Sequence, residues 1–204
     1  MRKFITIAVT GGIGSGKNLV GKTLSRLGCK IFDTDDMVHQ LYKTDPNMKR
    51  DIISLFGNSV IDQNGDISRE KLAEKVFSGA ENLKRLTEIV HPRVRKEIFN
   101  LFNKLEKENY KGCVVIMVPQ LIEAGMQDDF DKVILVVAKE EIRINRCKAR
   151  SGLTDFQVKS RMRFQLADEE KIKYADYIVD NNNTVEQTET QTEQIYYKII
   201  ETTK

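Results

Sequence analysis

An apolar, β-rich run from Phe4 to Val9 delivers the chain directly into Thr10-Gly11-Gly12-Ile13-Gly14-Ser15-Gly16-Lys17, and this junction constrains the fold more than any other feature. It fits the pattern G-x-x-x-x-G-K from Gly11 through Gly16 to Lys17. Cradling a triphosphate takes several backbone N–H groups turned inward at once, which needs backbone free of Cβ at Gly11, Gly12, Gly14 and Gly16. A helix beginning near Lys17 adds its N-terminal dipole and free N–H groups, and the Lys17 ammonium supplies a full charge to the β- and γ-phosphates. A glycine-rich strand-to-helix turn can be a bare connection; the Gly-Lys pair behind a strand favours nucleotide binding. One position departs from the pattern. Asn18, followed by Leu19, stands where Ser or Thr normally offers Mg²⁺ a hydroxyl. An amide oxygen also ligates hard cations, but from a different place.

Length and composition fit a compact enzyme. With 204 residues and 40% hydrophobic content, the chain buries one sizeable core and leaves room for an appended lobe. A net charge of +3 falls short of a nucleic-acid footprint. No segment reaches the ~20 apolar residues that a membrane helix needs. Cys29, Cys113 and Cys147 are odd in number and too widely spaced for a zinc cluster, which points to reduced thiols in the cytoplasm, with Cys29 and Cys113 in the core. Met1-Arg2-Lys3 before Phe4–Val9 has the outline of a signal peptide. Its apolar run is short, lacks a small-residue cleavage site and flows into the phosphate loop, so it reads as a first strand.

Further apolar runs follow at Cys29–Phe32, Cys113–Val118, Val133–Ala138 and Tyr177–Val179. Most are continuously apolar, as expected of parallel strands covered on both faces. The expected architecture is therefore α/β: a three-layer P-loop NTPase fold with a parallel five-stranded sheet, an inserted helical lobe and a helical lid. The nucleotide-binding core comprises residues 1–35, 113–138 and 174–204. Residues 36–112 are too long for a crossover and read as the inserted lobe, with a turn at Asn64-Gly65 and an apolar stripe at Val94, Ile98, Leu101, Phe102 and Leu105. Residues 139–173 are helical and charged, which suits a mobile cover. The Thr-, Glu- and Gln-rich tail keeps Val185, Thr188, Thr192, Ile195, Tyr196 and Ile199 at helical spacing, so it reads as a last helix.

The second strand runs into Asp33-Thr34-Asp35-Asp36, and carboxyl ends of parallel strands face the ligand crevice. Asp33 is the candidate carboxylate for a phosphoryl-acceptor hydroxyl, and Asp35 or Asp36 is expected to cap the following helix. Neither Val118 nor Ala138 is followed by the Asp that often holds Mg²⁺ at a later strand, so the ion's carboxylate must come from elsewhere. Asn18 and Asp35 are the expected metal contacts. Arg143, Arg146 and Arg150 share a helical face just after the fourth strand. A solvated face is the plain reading. The position favours Arg146 and Arg150 acting on the transferring phosphoryl, and Arg143 stays open. His91-Pro92 reads as a helix-terminating corner and His39 as a neighbour of Asp35; the two histidines do not have metal-ligand spacing.

In this order the chain resembles the dephospho-CoA kinases. The resemblance rests on Thr10–Lys17, Asp33-Thr34-Asp35 with His39, His91-Pro92-Arg93-Val94, Val118-Pro119-Gln120-Leu121-Ile122-Glu123, Arg146 with Arg150, Gln165, Ala175-Asp176 and Asp180-Asn181-Asn182. It spans nearly the whole chain, and Gly57–Ile67, Arg69, Leu72 and Val76-Phe77 look like that family's CoA lobe. The resemblance implies that ATP, with Mg²⁺, donates its γ-phosphoryl to the ribose 3′-hydroxyl of dephospho-CoA. It further implies Asp33 as base, Lys17, Arg146 and Arg150 as catalytic cations, and Gly14, Ser15, Gly16, Lys17, Asn18 and Leu19 as the ATP loop. The departures are Asn18-Leu19 for Ser-Thr, Gln120 for leucine and Asn183 for glycine.

Other classes share part of this pattern. A P-loop kinase for another small acceptor, such as a nucleoside monophosphate or a sugar acid, would share loop and lid and differ in the acceptor lobe. A GTP switch would carry Asn-Lys-x-Asp, which the sequence lacks. A nucleotide-binding module with weakened catalysis has Asn18 as its sole support.

Overall fold

The structure is a computed structural model that describes residues 2–202. Its frame is a five-stranded sheet in the order β2-β3-β1-β4-β5, with every strand pair parallel. The strands are β1 (Phe4–Thr10), β2 (Lys30–Asp33), β3 (Gly112–Met117), β4 (Lys132–Val137) and β5 (Tyr177–Asp180). β1 is central and buried along its whole length, as a continuously apolar parallel strand demands. Because all strands point one way, Thr10, Asp33, Met117, Val137 and Asp180 end at one edge of the sheet.

The helices are α1 (Lys17–Arg26), α2 (Thr34–Thr44), α3 (Pro46–Phe56), α4 (Arg69–Val76), α5 (Ala80–Lys107), α6 (Glu140–Ser151), α7 (Asp155–Met162), α8 (Asp168–Lys171) and α9 (Val185–Thr202). Val20 and Leu24 of α1 and Ile195 and Ile199 of α9 pack with Ile5, Ile7, Val9, Val115 and Ile134 into one core layer. Full burial of each such side chain contributes roughly 1.5–3 kcal/mol. The tail helix forms as its spacing requires, with Thr188, Thr192, Ile195 and Ile199 buried. Cys29, Cys113 and Cys147 are free thiols, all buried.

The chain divides into two compact units, residues 1–33 with 105–204, and residues 34–104. In the second unit, α3 starts on Asp45, whose side chain accepts from the N–H groups of Asn47 and Met48 behind Pro46 at the first helical position. The Met48 N–H, foremost, holds the Asp45 carboxyl below its ordinary range. Arg93 of α5 bonds both Asp45 and Asp51, at 3.2 and 2.5 Å, and so fastens two helices of that unit together. The Asn64-Gly65 turn is present: Gly65 has φ +80°, and the Asp62 side chain accepts from the N–H groups of Asn64 and Asp66.

Two local expectations are corrected. His91-Pro92 does not end a helix; α5 runs through it. A proline removes one N–H from the ladder, and the long apolar face of α5, with Val94, Ile98, Phe102 and Leu105 buried, outweighs that loss. Nor does Asp35 or Asp36 cap α2. That helix starts at Thr34, so both carboxylates lie in its first turn, where they complement the dipole instead.

Candidate active site

The phosphate loop leaves β1 at the centre of the sheet and enters α1 at Lys17. Gly14 and Gly16 have φ of +75° and +100°, which L side chains rarely adopt. The Lys17 ammonium donates to Gly11 O at 2.8 Å and Gly12 O at 3.1 Å, and the Ser15 N–H donates to Gly12 O at 3.2 Å. A cavity of about 220 Å³ opens beside the loop, lined by Gly14, Gly16, Lys17, Asn18, Arg146, Cys147 and Arg150. Its charged lining is cationic, and its walls include the first turn of α1, the arrangement that receives polyanions.

All three arginines of the sequence pattern face this loop. Arg143 Nε donates to Ile13 O at 2.9 Å and pairs with Asp168 at 3.5 Å. Arg146 donates to Ser15 O at 3.4 Å and to Asn181 O at 3.0 Å, while Arg150 is exposed and lines the cavity. The adjoining flank of α6 is apolar: Ile144 and Cys147 pack with Val158 of α7, and the Ile13 side chain is seated against them. The tip of the loop is therefore docked on the 139–173 segment through both its side chain and its backbone.

Two partners of the loop, Gln165 and Asn181, and the Asp168 partner of Arg143 carried no role in the sequence reading. Gln165 Oε1 accepts from the Ile13 N–H at 2.8 Å. Asn181, buried just past β5, donates to Ser15 O at 2.7 Å and accepts from Thr188 at 2.8 Å. Asp168 begins α8, and burial pushes its carboxyl above the ordinary range despite Arg143, Lys171 and Lys17 nearby. The usable signal for Asn181 was its place after a strand at the carboxyl edge. Gln165 stood among the residues of the resemblance with no contact attached to it, and for Asp168 no local pattern exists, because long-range packing alone brings it to Arg143.

Behind them lies a buried ion pair. Lys171 Nζ stands 2.9 Å from Glu123 Oε1 with its side chain fully enclosed, and Glu123 Oε1 also accepts from the Leu166 N–H at 3.0 Å. The pair is in contact without hydrogen-bond alignment, since neither Lys171 Nζ nor Glu123 Oε2 has a hydrogen-bond partner. It anchors α8 and the strand of chain that carries Gln165 and Asp168.

Asp33 ends β2 opposite Met117 of β3, at the carboxyl edge of the sheet. Within the second unit, a cavity of about 210 Å³ is lined by Asp35, Tyr42 and Arg69 together with apolar residues of α2, α4 and α5, among them Leu72, and by Phe77 just past α4. Burial there pushes the Tyr42 hydroxyl up to about 12. Among the described residues, no cluster of three or more His, Cys, Asp or Glu could hold a metal by itself. Mg²⁺ rarely needs such a cage. It keeps waters and takes one or two protein oxygens beside the substrate's phosphates, a donor set that the Asn18 amide oxygen in the phosphate cavity fits.

Comparison with known proteins finds the chain similar to dephospho-CoA kinases. The family model described as dephospho-CoA kinase matches residues 5–187. A dephospho-CoA kinase of Fusobacterium nucleatum is 35% identical over 180 residues, covering 88% of this chain and 91% of the relative. One of Aquifex aeolicus is 33% identical over 196 residues, covering 95% and 96%. Among solved structures, a Thermus thermophilus protein is similar with TM-score 0.78 at 32% identity, over 97% of this chain and 98% of that one. A dephospho-CoA kinase from Campylobacter jejuni follows with TM-score 0.69 at 27% identity, over 98% of each chain. A shikimate kinase from Acinetobacter baumannii shares the fold alone, at TM-score 0.53 and 17% identity over 98% of this chain and 96% of that one.

Proposed function

The chain belongs to the dephospho-CoA kinase family, and we propose that Lys17 and the glycine loop hold the donor, Asp33 prepares the acceptor, and Arg146 with Arg150 steady the phosphoryl in transit. The protein is a kinase that phosphorylates dephospho-CoA with ATP in coenzyme A biosynthesis. The acceptor oxygen we assign is the ribose 3′-hydroxyl. Its oxygen bonds the γ-phosphorus as the bond to the departing ADP oxygen breaks, and its proton passes to the Asp33 carboxylate.

The observation that carries this division of labour is the cationic cavity. Lys17, Arg146 and Arg150 surround one space with Gly14, Gly16 and Asn18. A transferring phosphoryl spreads charge over its oxygens, so catalysis rests on positioned cations and N–H groups more than on covalent chemistry. Bound Mg²⁺ would neutralise phosphate charge, and Asn18 would hold it through the amide oxygen. Residues 36–112 are the proposed acceptor lobe, and the cavity of Arg69, Tyr42 and their apolar neighbours is our candidate for part of the acceptor. Residues 139–173 are the proposed lid. Among the described residues, no helix is long and apolar enough to cross a membrane. A net charge of only +3 and buried free thiols support the reading of a cytoplasmic enzyme that acts on small molecules.

The test is steady-state kinetics of Arg146→Ala and Arg150→Ala. Each should lower kcat more than it raises KM for dephospho-CoA. Wild-type behaviour of both at saturation would leave the arginines a solvated face.

A further inference from the structure

A phosphate loop works only if the peptides that meet the phosphates aim their N–H groups at the ligand and those that hold the lysine aim their carbonyls at it, and a flexible glycine run has no intrinsic reason to choose that state. A trans peptide is planar, with C=O and N–H on opposite sides. Holding one outward therefore aims the other inward.

In this protein the outward groups are held from outside the loop. The Ile13 carbonyl is taken by Arg143 Nε at 2.9 Å, so the Gly14 N–H of the same peptide faces the opposite side. The Ser15 carbonyl is taken by Asn181 Nδ2 at 2.7 Å and Arg146 at 3.4 Å, which turns the Gly16 N–H the same way. Gly14 and Gly16 both line the phosphate cavity. The peptide before these two runs in the other sense. The Ile13 N–H goes out to Gln165 at 2.8 Å, and its partner carbonyl, Gly12 O, turns in to accept Lys17 at 3.1 Å.

The side chains doing this are themselves fixed. Asn181 is buried and held by Thr188, Arg143 is paired with Asp168, and the segment of Gln165 is fastened by Leu166 N–H to Glu123. The glycines are shaped to admit them. A Cβ on Gly12 would fall on the Arg143 guanidinium, and a Cβ on Gly16 on the Asn181 amide.

We propose that Gln165, Arg143 and Asn181 are positioning residues that set the orientations of three peptides of the phosphate loop, and so determine ATP affinity without touching the reacting atoms. The inference rests on the loop being the ATP site.

The experiment is calorimetric ATP binding to the parent, Gln165→Met and Asn181→Asp, with melting temperatures, steady-state kinetics and exchange of the Ile13 amide proton alongside. Gln165 is only half-buried, so its variant should fold; Asn181→Asp keeps shape but sets an oxygen against the Ser15 carbonyl. Asn181→Asp mis-aims the Gly16 N–H, and Gln165→Met frees the Gly12–Ile13 peptide whose carbonyl holds Lys17, so each variant weakens a charge-assisted phosphate contact and the ATP Kd should rise about tenfold or more. KM for ATP should follow it, with kcat and KM for dephospho-CoA nearly unchanged, and the Ile13 amide should exchange faster in Gln165→Met. Parental ATP affinity in Gln165→Met overturns the inference, whatever happens to its melting temperature. Failure of the parent itself to bind ATP would overturn the donor site, and this inference with it.

Discussion

Lys17 donates to the Gly11 carbonyl at 2.8 Å, closing the phosphate loop on itself through its own invading cation. An arriving triphosphate offers charged oxygens in place of two neutral carbonyls, and those oxygens grow more negative in the transition state. Lys17→Ala should therefore lower kcat by on the order of 10² or more, while the melting temperature changes little. ADP release at saturating substrates, beside a thermal melt, reads both; near-normal turnover would contradict the phosphate role.

Asp33 is assigned to the acceptor rather than to the donor. Asp33→Asn keeps the shape and removes the charge, so ATP affinity should hold while phosphoryl transfer falls about 10²-fold or more. Calorimetry and single-turnover transfer separate the two. A variant that loses ATP affinity yet keeps its saturated rate would make Asp33 a metal or structural group.

The pairing of Lys171 with Glu123 predicts a stability signature. Lys171→Met strands a buried carboxylate and should cost about 3–5 kcal/mol in urea unfolding. Adding Glu123→Gln removes that charge while keeping an acceptor for the Leu166 N–H, and should restore most of the loss. A double variant no better than the single would show that the two residues do not act as a pair.

Much of this was legible in the sequence. Strand runs such as Phe4–Val9 and Val133–Ala138 read clearly because a parallel strand buried on both faces leaves no polar alternation to confuse. The glycines and Lys17 read clearly because phosphate binding needs local backbone geometry. Pro92 misled because its cost is local, whereas the burial that carries α5 through it is spread over several turns. The contacts that Gln165 and Arg143 make with Ile13 were not legible for a related reason: they meet the loop from more than 100 residues away in the chain, and only the fold defines that meeting.

Asn18 is the residue on which donor chemistry departs from the usual pattern. Mg²⁺ holds close to octahedral geometry at ~2.0–2.1 Å and tolerates little displacement of a ligand oxygen. Asn18→Ser, made together with Leu19→Thr, should raise kcat or lower the Mg²⁺ concentration for half-maximal activity, while ATP binding by the native chain persists through the glycines and Lys17. A Mg²⁺ titration of both proteins checks this. Identical rates and metal dependence would make Asn18 a competent ligand.

The most direct measurement of the whole account is coenzyme A formation by the native chain from ATP, Mg²⁺ and dephospho-CoA, run beside ADP release with shikimate, gluconate and nucleoside monophosphates. The account predicts stoichiometric ADP and coenzyme A with dephospho-CoA, and only background release with the others. ATP binding with no turnover on dephospho-CoA, or faster turnover on another acceptor, would contradict it.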